Sequence, residues 1–167
     1  VTAVILLILG TPLAWWLAQG RSRARFLVEA LVVLPVVLPP TVLGFYLLQL
    51  LGANGPLGWL WSQFDVRLVY SFTGLVIGSV IFSLPFVVYP LKGVFEKVPR
   101  AQLEAAATLG AGPVDRFFSV AVPASLSGFL AAAVLAFAHT LGEFGVVLML
   151  GGNIPGETQV LSIAIYN

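Results

Sequence analysis

The chain has 167 residues, 59% of them hydrophobic and only 9% charged, with a mean hydropathy of +1.03. Charged residues make up roughly 25% of a soluble domain, so composition excludes a water-soluble fold and points to an all-α integral membrane protein, a polytopic helical bundle. The lack of cysteine excludes disulfide scaffolds, cysteine metal sites and thiol catalysis. A net charge of +1, with no basic run interleaved with aromatics, gives no sign of nucleic acid.

Four apolar stretches are read as spans, at about 1–18, 26–51, 69–91 and 125–150, within one membrane domain covering 1–167. The chain starts inside an apolar run, so further sequence is expected at both ends. In the first span Thr2, Gly10, Thr11 and Pro12 are tolerable interruptions, and Trp15 and Trp16 suit the headgroup level. A short basic loop with Arg21, Arg23 and Arg25 follows. The second span carries Glu29 near its start and contains LPVVLPP, with Pro35, Pro39 and Pro40. Internal prolines remove backbone hydrogen bonds and kink a helix. Pro39 and Pro40 therefore either shape packing only or mark a half-unwound helix that lines a pathway or bends during gating.

Residues 52–68 form a loop with turn chemistry at Asn54-Gly55-Pro56. Leu57, Leu60, Trp61 and Phe64 recur at helical spacing there, which suits a short interfacial helix. In the third span Pro85 and Pro90 are expected to bend the last two turns, and Gly74 and Gly78 offer a face for close helix contact. The fourth span carries His139 and Glu143, four apart on one helical face. Ionisable groups at this depth face the bundle interior or a water-filled path, so the pair is a candidate for gating or for helix packing. A bare carboxylate makes Glu143 a poor ligand for an anion.

Between the third and fourth spans, residues 92–123 hold seven of the chain's fifteen charged residues. Seven of the eight Lys and Arg fall in this loop and in the loop after the first span, against Arg67 alone on the other side. That asymmetry assigns 92–123 to the cytoplasm. Pro99 suits a helix start, and Ala101 to Ala107 are mostly strong helix formers. Gly110 and Gly112 end that helix, Pro113 opens a second, and Pro123 is expected to close it. Val114, Phe117, Phe118 and Ala121 form an apolar stripe along the second helix. Small side chains let another protein approach the backbone closely, so the hairpin reads as a docking element. The structural alternative is an interfacial hairpin that merely joins two spans.

Glu104-Ala105-Ala106, then Gly110, then Val120-Ala121-Val122-Pro123 resembles the EAA motif (EAA-x3-G-x9-I-x-L-P) of ABC-importer permease subunits, with Val120 and Val122 in place of Ile and Leu. Residues 38–44 (LPPTVLG), 54–58 (NGPLG), 141–145 (LGEFG) and 152–158 (GNIPGET) are similar to the molybdate permeases of that class, and the LGEFG and NIPG stretches also to sulfate permeases. Where such permeases usually carry a basic residue before LGEFG, this chain has His139. The resemblance implies the transmembrane domain of a type I importer in a bacterial or archaeal cytoplasmic membrane, with a further C-terminal span. It also implies a second permease copy, an external binding protein that delivers molybdate, tungstate or sulfate, and two cytoplasmic ATPase subunits. By that match Glu104 and Gly110 hold the coupling loop's shape, while Ala105, Ala106 and Ala111 pack against the ATPase. The sequence has no G-x-x-x-x-G-K-[ST] loop, so ATP and Mg are expected on the partner and no cofactor or catalytic residue in this chain. A secondary transporter can also have proline-broken helices but has no use for the EAA loop.

Overall fold

With no water at membrane depth, backbone groups bond mainly within helices, and most of the described residues are helical. The computed structural model describes residues 1–20, 22–64 and 67–166, which form eleven helices and no strand. Arg21 of the expected basic loop lies outside the described residues, as do 65 and 66 of the loop that follows the second expected span. In order the helices are α1 (Thr2–Gln19), α2 (Ala24–Val37), α3 (Pro40–Leu51), α4 (Gly58–Ser62), α5 (Phe72–Ser83) and α6 (Pro85–Phe95). The chain continues through α7 (Arg100–Thr108), α8 (Pro113–Ala124), α9 (Leu126–Gly142), α10 (Gly145–Gly151) and α11 (Leu161–Tyr166).

Among the described residues α1 alone is long and apolar enough to cross a membrane, and there are up to four spans if each of three bent pairs counts as one. Those pairs are α2–α3, turning through 113°, α5–α6 at 41° and α8–α9 at 77°. The first bend is far more than the kink expected within 26–51. Leu38 and Pro39 each precede a proline, which disfavours helical backbone, and both are extended, with ψ of 139° and 137°. Pro85 makes the 41° break as expected, but Pro90 lies inside an unbroken α6 that runs on to Phe95.

The fourth expected span is likewise two helices. Glu143 leaves the helix with ψ 127° between Gly142 and Gly145, and α10 starts afresh. The exposed backbone is re-satisfied locally, because the Ser162 hydroxyl donates to the Glu143 carbonyl. Pro123 stands one residue before the end of its helix, ahead of the break into α9, as expected. It follows a wide turn at Phe117–Ala121, in which the Val122 N–H reaches back to the Phe117 carbonyl. Such a widened turn relieves the clash a proline ring makes with the preceding turn, and helical backbone continues to Ala124.

Two larger packed groups share the interior with a smaller one of Leu75, Val147 and Ile163. Leu6, Ala14 and Leu17 of α1, Val87, Val88, Leu91 and Phe95 of α6, and Ala132 and Ala136 of α9 form the larger one. Leu43 and Leu47 of α3, Phe82 of α5, and Val146 and Leu150 of α10 form the second. The bent α5–α6 rod belongs to both and ties them together. Gly10 and Gly128 let α1 and α9 close on α6: an added Cβ would lie 2.7 Å from Val87 Cγ1 and 2.3 Å from Val94 Cγ2, respectively. Gly78 likewise admits Leu150, whereas Gly74 faces the Leu68 carbonyl of its own preceding loop and so makes no helix contact of the kind expected.

These fits predict opposite signs for one substitution at two positions. Gly128→Ala overpacks a stiff valine and should lower stability by about 1–3 kcal/mol. Gly93→Ala meets nothing within 4 Å and should raise it by up to about 1 kcal/mol through helix propensity. Thermal midpoints of the detergent-purified protein test both; equal shifts would contradict the packing described.

Candidate functional site

The hairpin of α7 and α8 is shaped by its own sequence. Pro99 caps α7, and the Gln102 N–H bonds to its carbonyl at 3.0 Å. At the other end Gly110 takes φ +89°, a conformation open to glycine and strained for other residues. The Ala111 N–H bonds to the Ala106 carbonyl and the Gly110 N–H to the Ala107 carbonyl, both at 3.0 Å. This is a complete Schellman closure. Gly112 and Pro113 then start α8 at once, with Asp115 favourably placed in its first turn.

No residue of α7 is buried. Glu104 and Ala105 are exposed, Ala106 and Ala111 are half-buried beside the turn, and Pro123 is exposed at the far end of α8. The apolar stripe of α8 is divided between two faces. Ala121 is buried, and Phe117 packs edge-on to Trp15 with ring centroids 5.2 Å apart. Val114 and Phe118 point away from the bundle at 70% and 64% exposure, joined by Leu109 at 88%. The hairpin thus offers three large apolar side chains on an unburied surface otherwise made of small residues and a few charges. Leu109 was not among the expected site residues, although a leucine just before a helix-ending glycine is a visible signal.

The candidate gate residues sit elsewhere. Pro39 and Pro40 form the α2–α3 turn, and Pro40 packs so closely on Gly145 that a Cβ there would lie 2.7 Å from Pro40 Cβ. Pro40 therefore abuts α10 two residues beyond Glu143. His139 and Glu143 do not bond each other, and the backbone break between them and α10 takes Glu143 off a continuous helical face. Each instead meets a serine of α5. The Ser79 hydroxyl donates to Glu143 Oε2 at 2.7 Å, and Ser83 Oγ lies 2.9 Å from His139 Nδ1. The imidazole also stacks on Phe86, with centroids 3.8 Å apart. Glu143 is only 4% exposed, and its Oε1 has no partner among the described residues. Ser79 and Ser83 are four apart, the same spacing as His139 and Glu143, and that matched spacing is the signal the sequence carries for this pairing.

The sequence model of the family described as "binding-protein-dependent transport system inner membrane component" matches residues 10–167. The molybdenum transport system permease protein ModB of Azotobacter vinelandii is 54% identical over 167 residues, covering 99% of this chain and 74% of that protein. ModB of Haemophilus influenzae is 39% identical over 155 residues, 92% of this chain and 68% of that protein. The sulfate transport system permease protein CysT of Salmonella typhimurium is 36% identical over 159 residues, 95% of this chain and 57% of that protein.

Removing the Ser79 hydroxyl strips a buried carboxyl of its one side-chain partner. Ser79→Ala should therefore cost about 1–3 kcal/mol, and more than Ser83→Ala, which leaves His139 its contact with Phe86. Paired thermal melts of the two variants decide it, and a larger loss for Ser83→Ala would refute the assignment.

Proposed function

This chain belongs to the family of binding-protein-dependent transport system inner membrane components, and we propose that it is the permease subunit of an ATP-driven importer that moves molybdate into the cell. It is a transport component and not an enzyme. The observation that carries the reading is the α7–α8 hairpin: rigid, unburied, closed by Gly110, and tipped with Leu109, Val114 and Phe118. Such a surface fits a cleft in a soluble partner, here a cytoplasmic ATPase holding ATP and Mg. Glu104 and Gly110 set the hairpin's shape and charge, and Ala105, Ala106 and Ala111 let the partner close on its backbone. The loops bearing the excess of Lys and Arg face the cytoplasm.

Movement of the hairpin has a physical route into the bundle. Phe117 rests on Trp15 and Phe95, so a push on α8 loads both α1 and α6. Pro123 then lies just before the 77° turn into α9, whose far end is tied to α5 through His139 and Glu143. The breaks at Leu38–Pro39 and at Glu143 are where helices can pivot without opening new backbone groups. His139, Glu143, Pro39 and Pro40 act in this reading as gate and packing residues. Leu126, Leu130, Val134 and Phe137 of α9 face outward, a surface open to lipid and to a second permease copy. An extracytoplasmic binding protein delivers the oxyanion from the opposite side.

The 54% identity to a molybdenum permease, against 36% to a sulfate permease, favours molybdate over sulfate as cargo. Sulfate or tungstate remains the second reading, because all three are tetrahedral dianions and selectivity would reside in the binding protein. A secondary transporter leaves the hairpin without a role.

Co-expression of the full-length permease with its candidate ATPase should give a complex that survives mild detergent. Insertion in the membrane without any associated ATPase would overturn the proposal. Gly110→Pro cannot adopt φ +89° and should abolish uptake while insertion persists, as should Glu104→Lys through reversed charge. In proteoliposomes carrying the complete transporter, molybdate uptake resistant to excess sulfate is expected; preferential uptake of sulfate would reassign the cargo.

A further inference from the structure

The first two turns of α2 and the C-terminal end of α6 carry a closed ring of four charges. Arg25 Nη2 lies 2.9 Å from Glu96 Oε1, and Lys92 Nζ lies 3.7 Å from the same oxygen. Lys92 Nζ also bonds directly to Glu29 Oε1, and Arg25 Nε lies 4.0 Å from Glu29 Oε2. Each cation thus touches both carboxylates, and the net charge of the ring is zero. Lys92 is the most enclosed member, its side chain only 13% exposed. Arg25 reaches further, to the Gly20 carbonyl at 3.5 Å, and so includes the end of α1.

The position of the ring gives it a task. Of the fourteen residues of α2, only Val32 and Pro35 are buried, both in its second half. In the first half Val28 alone packs against the core, and it is only half-buried, while Phe26, Leu27 and Leu31 all point outward. The ring therefore adds to the single half-buried contact of Val28 the polar links that fasten the start of α2 to α6. Its α6 side ends at Glu96, three residues before Pro99 caps α7. Its α2 side leads through one short helix to the 113° turn at Leu38–Pro39.

We infer that Arg25, Glu29, Lys92 and Glu96 are positioning residues that clamp α2 to the base of the hairpin, so that work done on the hairpin reaches the proline turn. The inference rests on the importer reading above. Breaking the clamp leaves the hairpin free to move under the ATPase while α2 stays behind. Hydrolysis then continues and transport lags.

The test uses charge exchanges that keep composition constant. Arg25→Glu with Glu29→Arg sets a carboxylate against Glu96 and a guanidinium against Lys92. Lys92→Glu with Glu96→Lys sets the same conflict from the other side. All four changes together restore alternation around the ring. The number of Lys and Arg on each helix never changes, so the orientation signal is kept. The readout is molybdate taken up per ATP hydrolysed, in proteoliposomes holding the full-length permease, its ATPase and its binding protein. Each exchange alone should lower that ratio about fivefold or more, the lower end of measured couplings between sites. The combined variant should return to within about twofold of the unaltered transporter, as coupled neighbours do in a mutant cycle. An unchanged ratio, a parallel fall of uptake and hydrolysis, or a combined variant no better than either exchange would each overturn the inference. If an exchange fails to assemble with the ATPase, Glu29→Gln takes its place, and the same ratio is read with the same outcomes. Failure of the unaltered complex to import molybdate would instead strike the functional reading, since the ratio has meaning only in a working transporter.

Discussion

Helices in lipid are not driven together by burial of apolar surface, since the surrounding acyl chains are equally apolar; they hold by close fit and by polar contacts. The fit of α1 and α9 against α6 is the constraint on which this protein rests. Gly10 and Gly128 bring their helices against Val87 and Val94, and Val87, Val88, Leu91 and Phe95 are wholly enclosed as a result. Through the bend at Pro85 the same rod continues into α5 and the second packed group. Displacing α6 would disturb the wall that holds His139, the ring of charges beside α2 and the root of the hairpin together.

Where the helices break, the fold supplies hydroxyls. Ser162 serves the Glu143 carbonyl, while Ser79 and Ser83 meet Glu143 and His139. Within the unbroken α1, Thr11 donates to the Leu7 carbonyl at 2.6 Å. Serine and threonine can serve a carbonyl or a buried side chain without carrying a charge into lipid, so a break beside one costs little. Together with the contact of Pro40 on Gly145, these hydroxyls hold the interrupted segments side by side while the breaks themselves can still turn. The breaks are therefore joints with defined positions on either side.

Much of the hairpin was legible because its determinants are local. Pro99, Gly110 and Pro113 set φ values within a few residues, and no distant contact is needed to read them. The stripe on α8 was legible as a pattern but not as two faces, because only the meeting with Trp15 turns Phe117 inward and leaves Phe118 outside. The size of the α2–α3 turn was hidden for a similar reason: paired prolines say that a helix stops, while its new direction follows from what Pro40 packs on. The interruption at Glu143 gave little warning, since Gly142 and Gly145 are unremarkable in a membrane helix. The charge ring was legible only in halves. Arg25 with Glu29 and Lys92 with Glu96 are ordinary pairs at i and i+4, and nothing in the order of residues says that two pairs more than sixty positions apart would interlock.

Leu109, Val114 and Phe118 also bear on how the molecule comes into being. Large apolar side chains held out in water mark an unfinished surface and a site of aggregation. A copy that reaches the membrane ahead of its partner exposes that surface, and quality-control machinery that recognises exposed apolar segments has a ready target. If the hairpin docks as proposed, a copy without its partner keeps that surface open to water and is the form most prone to aggregate.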